Sequence, residues 1–221
     1  TNGSTNAQLV NNLIGSGGSG SVSNIVFSGI VPSSSRYQAA EFTANSTVAA
    51  NLGFNSGIVL STGQTSAIPI STASDPRASQ TSTGYTSCTS GELRKTGSCG
   101  LNINDLNVLS GSTNYYNVAV LEFDFVPANS NLCFRYVFGS EEYQDNSGMI
   151  NYNCSSYNDK FAFIVSGPGI SGGQGYTNNG KNIARLTNGS EVSINSVNNG
   201  IVGSSGGSPD DSRCQAANTQ W

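Results

Sequence analysis

AVLEFDFVPANSNLCFRYVFGSEEYQDNSGMINYNCSSYNDKFAFIVSG, running from Ala119 to Gly167, carries the strongest strand signals in the chain. From Val118 to Val126 the residues alternate. Ala119, Leu121, Phe123 and Phe125 fall on one face, and Val120, Glu122 and Asp124 on the other. Leu132 to Phe138 alternates again, with Leu132, Phe134, Tyr136 and Phe138 against Cys133, Arg135 and Val137. Phe161 to Val165 is a short apolar run. A sheet with one buried face requires this period of two. Pro127 to Asn131 reads as the turn between the first two strands. Glu141, Glu142 and Asp145 follow the second strand, and Asn158-Asp159 precedes the third, so acid and amide oxygens gather at strand ends.

Outward from this stretch, Asn6 to Ile14 reads as a helix. Ala7, Leu9, Val10, Leu13 and Ile14 share a face, and Gly15 ends the run. Gly15 to Ser21 reads as a flexible turn. Strands are expected at Val22–Val31, Gln38–Thr43 and Gly57–Leu60, the last after a turn from Leu52. Leu101 to Leu109 is a second helix or turn. Thr62 to Gly100 is a long Ser- and Thr-rich loop, a length usually tied to function or motion. Gly167 to Lys181 is a Gly- and Asn-rich loop. Asn182–Leu186 and Val192–Val197 are expected as short strands, and Gly200 to Trp221 as loop. No internal repeat is present.

The chain has 221 residues, net charge -4 and no His, and only 10% of its residues are charged. That length fits a single domain, 1–221, large enough to bury a core. An acidic balance argues against a nucleic-acid partner, which selects basic patches. No apolar run approaches the roughly 20 residues of a membrane span. No signal peptide stands at the start, so Thr1 reads as close to a processed N-terminus.

Five cysteines without a Cys-x-x-Cys pair or any His favour disulfides over a zinc site. Cys88 with Cys99, and Cys154 with Cys214, are the expected pairs. Cys133, inside a strand signal, is then the unpaired thiol.

FRYVFGSEEY (Phe134–Tyr143), then Asn158-Asp159 and FAFIVSGPGI (Phe161–Ile170), resembles the choice-of-anchor L family of secreted bacterial surface domains. AQLVNNLIGSG from Ala7, GFNSGIVLSTG from Gly53, VAVLEFDFVP, NIARL and VSINSVNN agree with it. The resemblance implies a secreted or cell-surface location more firmly than an activity. It also implies an acidic pattern ahead of Leu106. Here Asp105 keeps one position and Asn102 stands where an acid is otherwise found. Further strands and a sorting signal normally follow in the family, so the sheet is expected to lack C-terminal strands.

Three chemistries are open. Calcium takes six to eight oxygens from carboxylates, amides and backbone, and Glu141, Glu142, Asp145, Asn158, Asp159 and Asp105 offer such atoms. Ordinary solvated loop acids are the alternative. Glu122 and Asp124 share a strand face, within the separation that paired-acid glycoside hydrolysis uses, but an exposed strand face is the favoured reading. Without His, no Ser-His-Asp or Cys-His arrangement exists. Tyr115, Tyr116, Tyr143, Tyr152, Tyr157 and Tyr176 lie in or beside polar loops. They form either a sugar platform or simple loop cover. Sequons at Asn2, Asn45, Asn153 and Asn188 carry no information in a chain this rich in Asn and Ser.

The expectation is an all-β sandwich of jelly-roll type with one or two short helices and long polar loops. It serves as a non-catalytic, calcium-stabilised adhesion or interaction module at the bacterial surface, with a glycan or protein ligand. The alternative is a subunit of an extracellular filament that pairs with neighbouring copies by strand exchange.

Overall fold

Thr5 and Gln8 start the first helix by capping each other. The Thr5 hydroxyl accepts the Gln8 N–H at 3.3 Å, and Gln8 Oε1 accepts the Thr5 N–H at 2.7 Å. The computed structural model describes residues 5–15, 19–28, 38–62, 65, 104–111, 118–131, 133–140, 142–143, 151–204 and 206–214. Strand outweighs helix in it, and the described strands form no closed barrel. They pair as two-stranded antiparallel ladders. The chain divides into two compact units.

The first unit spans Thr1–Leu101 and Tyr115–Val137. Helix α1 (Asn6–Ile14) ends at Gly15, whose φ of 72° suits glycine. It buries Leu9 and Val10 and lies against β1 (Ser19–Ser28), β2 (Ala39–Thr43) and β3 (Ser56–Leu60). β1 pairs with β4 (Val120–Pro127), from Ser19 opposite Pro127 to Ser28 opposite Val120. The register shifts between Ser23 and Val26, where Asn24 has φ 52° and donates to Asp124 Oδ2 at 2.6 Å. Along β4, Leu121, Phe123 and Phe125 are half-buried while Glu122 and Asp124 are exposed, so the expected alternation is present. β2 pairs with β3, Ala39 opposite Leu60 through Thr43 opposite Ser56.

Between β2 and β3 lies α2 (Ser46–Leu52), a helix that the sequence reading lacks. Asn45 Oδ1 accepts the Val48 N–H at 2.9 Å, and Gly53 closes the helix at φ 78°. Cap and stop are both in the sequence, but the short segment between them buries no residue. With α3 below, the helices exceed the one or two expected.

The expected strand over Leu132–Phe138 is not among the strands described. Leu132 lies outside the described residues, and Cys133–Phe138 joins no ladder among them. Alternation supplies a face, whereas ladder pairing is set by other parts of the chain. Here Arg135 Nη1 donates to the Gly53 carbonyl at 3.1 Å, and Tyr136 and Val137 are exposed.

The second unit spans Asn102–Asn114 and Phe138–Trp221. It holds α3 (Asn104–Ser110), β5 (Lys160–Phe161), β6 (Ile164–Val165), β7 (Lys181–Asn182) and β8 (Val192–Ser193). The expected strand Phe161–Val165 is split: β5 pairs with β8, and β6 with β7. Asn182 causes the break, because its Oδ1 takes the N–H of Phe163 at 3.2 Å and of Ala184 at 3.0 Å. Only Lys181–Asn182 and an isolated Arg185–Glu191 bridge stand in the region expected as the Asn182–Leu186 strand. Of the expected Val192–Val197 strand only Val192 and Ser193 remain, and Ile194–Ser196 turn away.

The core of this unit mixes apolar Leu109, Cys154, Tyr176, Ala184, Val192 and Ile194 with buried Asn and Ser. Asn195 Nδ2 donates to the Ser155 carbonyl at 2.8 Å and Asn198 Nδ2 to the Ile194 carbonyl at 2.9 Å. Buried polar groups are tolerable when paired in this way.

Candidate functional site

The second unit carries a clasp built from two distant loops. Cys154 and Cys214 form a disulfide with Cα atoms 4.6 Å apart, the pair expected from the sequence. Three backbone bonds run beside it. Gly203 N–H donates to the Asn153 carbonyl at 2.9 Å, Ser156 N–H to Gly207 at 2.8 Å, and Asp210 N–H to Cys154 at 3.0 Å. A 3-10 turn at Asp211–Arg213 leads into Cys214, with Asp210 Oδ1 accepting the Ser212 N–H at 2.7 Å. The Ser212 bonds hold the Asp210 carboxyl below its usual range.

Tyr152 and Tyr157 stand on the first limb of this clasp. Their rings meet edge to face, with centroids 5.3 Å apart. The buried Ser155 hydroxyl accepts the Tyr157 N–H and donates to the Tyr157 carbonyl, both at 3.0 Å. The backbone of Gly206 and Gly207 lies along the Cδ2–Cε2 side of the Tyr157 ring. A methyl group on Gly207 would stand 3.1 Å from Cδ2. Despite this support Tyr157 remains 52% exposed.

The other expected tyrosines differ. Tyr176 is buried, and its hydroxyl donates to Glu191 Oε1 at 3.4 Å. Burial first, and then the Glu191 carboxylate, push its phenol up. Tyr143 is half-buried, and its phenol is also raised, by burial and then by Glu142. Tyr115 and Tyr116 lie outside the described residues.

The oxygens expected around calcium are distributed as follows. Asp105 Oδ1 accepts the Thr177 N–H at 2.6 Å, tying α3 to the Gly-rich loop. Asn158 Oδ1 accepts the Asn195 N–H at 3.0 Å, and the Asp159 carbonyl accepts the Ile194 N–H at 3.1 Å. Glu142 is half-buried, and its carbonyl accepts the Tyr152 N–H at 3.0 Å. Glu141 and Asp145 lie outside the described residues. Among the described residues no group of three or more His, Cys, Asp or Glu is placed to hold a metal ion.

Glu122 and Asp124 are exposed on β4. Cys88 and Cys99 lie outside the described residues, and Cys133 is a free, exposed thiol. Of the sequons, Asn45 caps α2, Asn153 is buried and Asn188 bonds the Ser190 N–H.

One polar cluster escaped the sequence reading. Glu191 Oε2 lies 3.2 Å from Lys160 Nζ, and its Oε1 lies 3.6 Å from Arg185 and accepts from Tyr176. Lys160 also donates to the Leu109 carbonyl at 2.7 Å, near the end of α3, where a cation suits the helix dipole. Nothing in the spacing of Lys160, Tyr176, Arg185 and Glu191 announces this meeting.

A strand-rich frame closed by a disulfide is the build of a protein from an oxidising compartment. The chain belongs to the choice-of-anchor L family, whose domain model matches residues 1–221. That membership assigns it an extracellular, surface-associated role. Comparison with curated proteins and with solved structures gives no match. No helix among the described residues is long and apolar enough to cross a membrane.

Proposed function

We propose that this protein is a non-catalytic adhesion or interaction module of the bacterial surface, folded as a jelly-roll type β-sandwich, whose ligand is a surface glycan or protein. The observation that carries the reading is Tyr157, set edge to face against half-buried Tyr152, held by Ser155 and by a disulfide-closed clasp and yet exposed. An aromatic ring fixed before the ligand arrives loses little side-chain entropy on binding. The test is retention of the oxidised protein on isolated bacterial envelopes. Tyr157→Ala is expected to lower it strongly. Equal retention of the variant and the wild type would sink the reading.

Calcium belongs to the same proposal, taken by Glu141, Glu142 and Asp145 with Asn158, Asp159 and Asp105. The acidic oxygens on either side of Tyr143–Tyr157 support it. Thermal unfolding with calcium, after chelation, and with calcium restored tests it. A filled site is expected to add about 3–4 kcal/mol at high excess over its dissociation constant. An unchanged transition, with bound metal excluded by elemental analysis, would remove calcium.

A second reading, assembly by strand exchange, draws on β1 and β4 pairing only with each other among the described residues. Open strand edges accept an added strand. Filaments seen by electron microscopy at concentrations where the envelope assay is run would favour it over a monomeric module.

A further inference from the structure

We infer that Tyr157 forms a subsite for the apolar face of a neutral pyranose, presented by the Cys154–Cys214 clasp. This deepens the proposed surface function and rests on it. An exposed tyrosine is ordinary by itself. This one is held at both backbone groups by a buried serine hydroxyl, along one ring side by two glycines, and by the Tyr152 ring. Gly206 and Gly207 lie near enough that a methyl on either would stand 3.3 Å and 3.1 Å from the ring. Gly207, at φ 78°, also needs a backbone conformation that other residues rarely adopt. The limb that carries them is joined to the ring's own limb by the disulfide at Cys214 and by the backbone bonds beside it, Ser156 N–H to Gly207 among them.

The chemistry around the ring selects the ligand class. Pyranose rings offer axial C–H groups to an aromatic face and hydroxyls to neighbouring polar groups. The clasp supplies such partners in exposed Ser156, next to Tyr157 in the chain, and exposed Ser208, next to Gly207. It also carries the exposed carboxylates of Asp210 and Asp211 against the single cation Arg213, in a chain of net charge -4. That balance repels uronic-acid polymers. A neutral glycan is therefore favoured over an acidic one.

The test is titration of the oxidised full chain with cellohexaose, chitohexaose and mannohexaose, with polygalacturonate as the acidic control. Tyrosine fluorescence and saturation-transfer NMR are the readouts. At least one neutral hexaose is expected to bind. Tyr157→Ala should weaken it about tenfold or more, as for a central aromatic anchor, while Tyr157→Phe stays within about twofold because the ring and not the hydroxyl stacks. Near-ultraviolet circular dichroism checks that the variants remain folded. No binding of any neutral hexaose, equal binding by Tyr157→Ala, or tighter binding of polygalacturonate would overturn the subsite. Envelope retention that depends on Tyr157 but is not competed by the hexaoses would overturn the subsite alone and leave the surface module standing.

Discussion

The ammonium of Lys160 lies 3.2 Å from Glu191 Oε2 and 2.7 Å from the Leu109 carbonyl. One side chain thus joins the end of α3 to the residue that precedes β8. Both partners of the ion pair are about a quarter exposed, at 23% and 24%. The pair is shielded from water more than a surface bridge, without the full desolvation cost of a deeply buried one.

Replacing Lys160 by Met is therefore expected to cost about 1.5–3 kcal/mol, the range for hydrogen bonds to charged groups. Glu191→Gln is expected to cost less. It leaves Lys160 its bond to Leu109 and leaves an amide beside Tyr176. Urea denaturation of both variants checks the order. A larger loss for Glu191→Gln would show that Arg185 and Tyr176, rather than Lys160, dominate the cluster.

Two glycines stand where no side chain fits. A Cβ on Gly172 would overlap the Gly180 carbonyl, and one on Gly203 would overlap that of Asn151. Both clashes are with backbone, which cannot swing aside as a side-chain tip can. Gly172→Ala and Gly203→Ala are each expected to destabilise by about 2–4 kcal/mol. Gly139 meets nothing within 4 Å. Gly139→Ala is expected to be neutral or to stabilise by about 0.4–1 kcal/mol, by restricting the unfolded chain. A neutral Gly203→Ala would mean that the clasp limb does not pack as described.

The readable parts of this fold are those whose determinants are local. Thr5, Gln8 and Gly15 bracket α1 within a few residues of one another, and the Leu121–Phe123–Phe125 face marks β4 by itself. Cys154 and Cys214 both lie in loop-like sequence, which marks them as able to pair, and the bond between them is present. The rest depends on distant partners. Ile194 looked like a strand residue, yet it lies buried in a turn held by Ser193, Ser196, Asn158 and Asn198 side chains. Tyr157 was one aromatic among several. What singles it out is backbone about fifty residues further on, at Gly206 and Gly207.

The buried phenols make stability depend on alkaline pH. Tyr143 and Tyr176 both have raised values, chiefly through burial and then through Glu142 and Glu191 respectively. A raised folded value means that the native state holds its proton more tightly than the unfolded chain does. The contribution is then complete below the ordinary phenol value of about 10 and declines as pH rises beyond it toward the folded value. The urea midpoint is expected to hold up to about pH 9 and then fall. In a Tyr143→Phe, Tyr176→Phe double variant the fall should be shallower. An identical alkaline slope would assign the loss to other groups.

The Cys154–Cys214 bridge spans a sequence separation of 60 residues. Chain-entropy arguments give about 4 kcal/mol for closing a loop of that length, and measured bridges commonly give about 2–4 kcal/mol. Replacing both cysteines by Ala removes the cross-link, with little change in volume at the fully buried Cys154. The expected loss is about 2–4 kcal/mol in urea. Its location is the stronger test. Hydrogen exchange should quicken at the N–H groups of Ser156, Gly203 and Asp210, which bond across the clasp. The β2–β3 ladder, paired from Ala39–Leu60 to Thr43–Ser56, should keep its protection, because it lies in the other unit. Faster exchange in both places would instead mean that the two units unfold as one. An unchanged midpoint with unchanged exchange would mean that the hydrogen bonds hold the clasp without the disulfide.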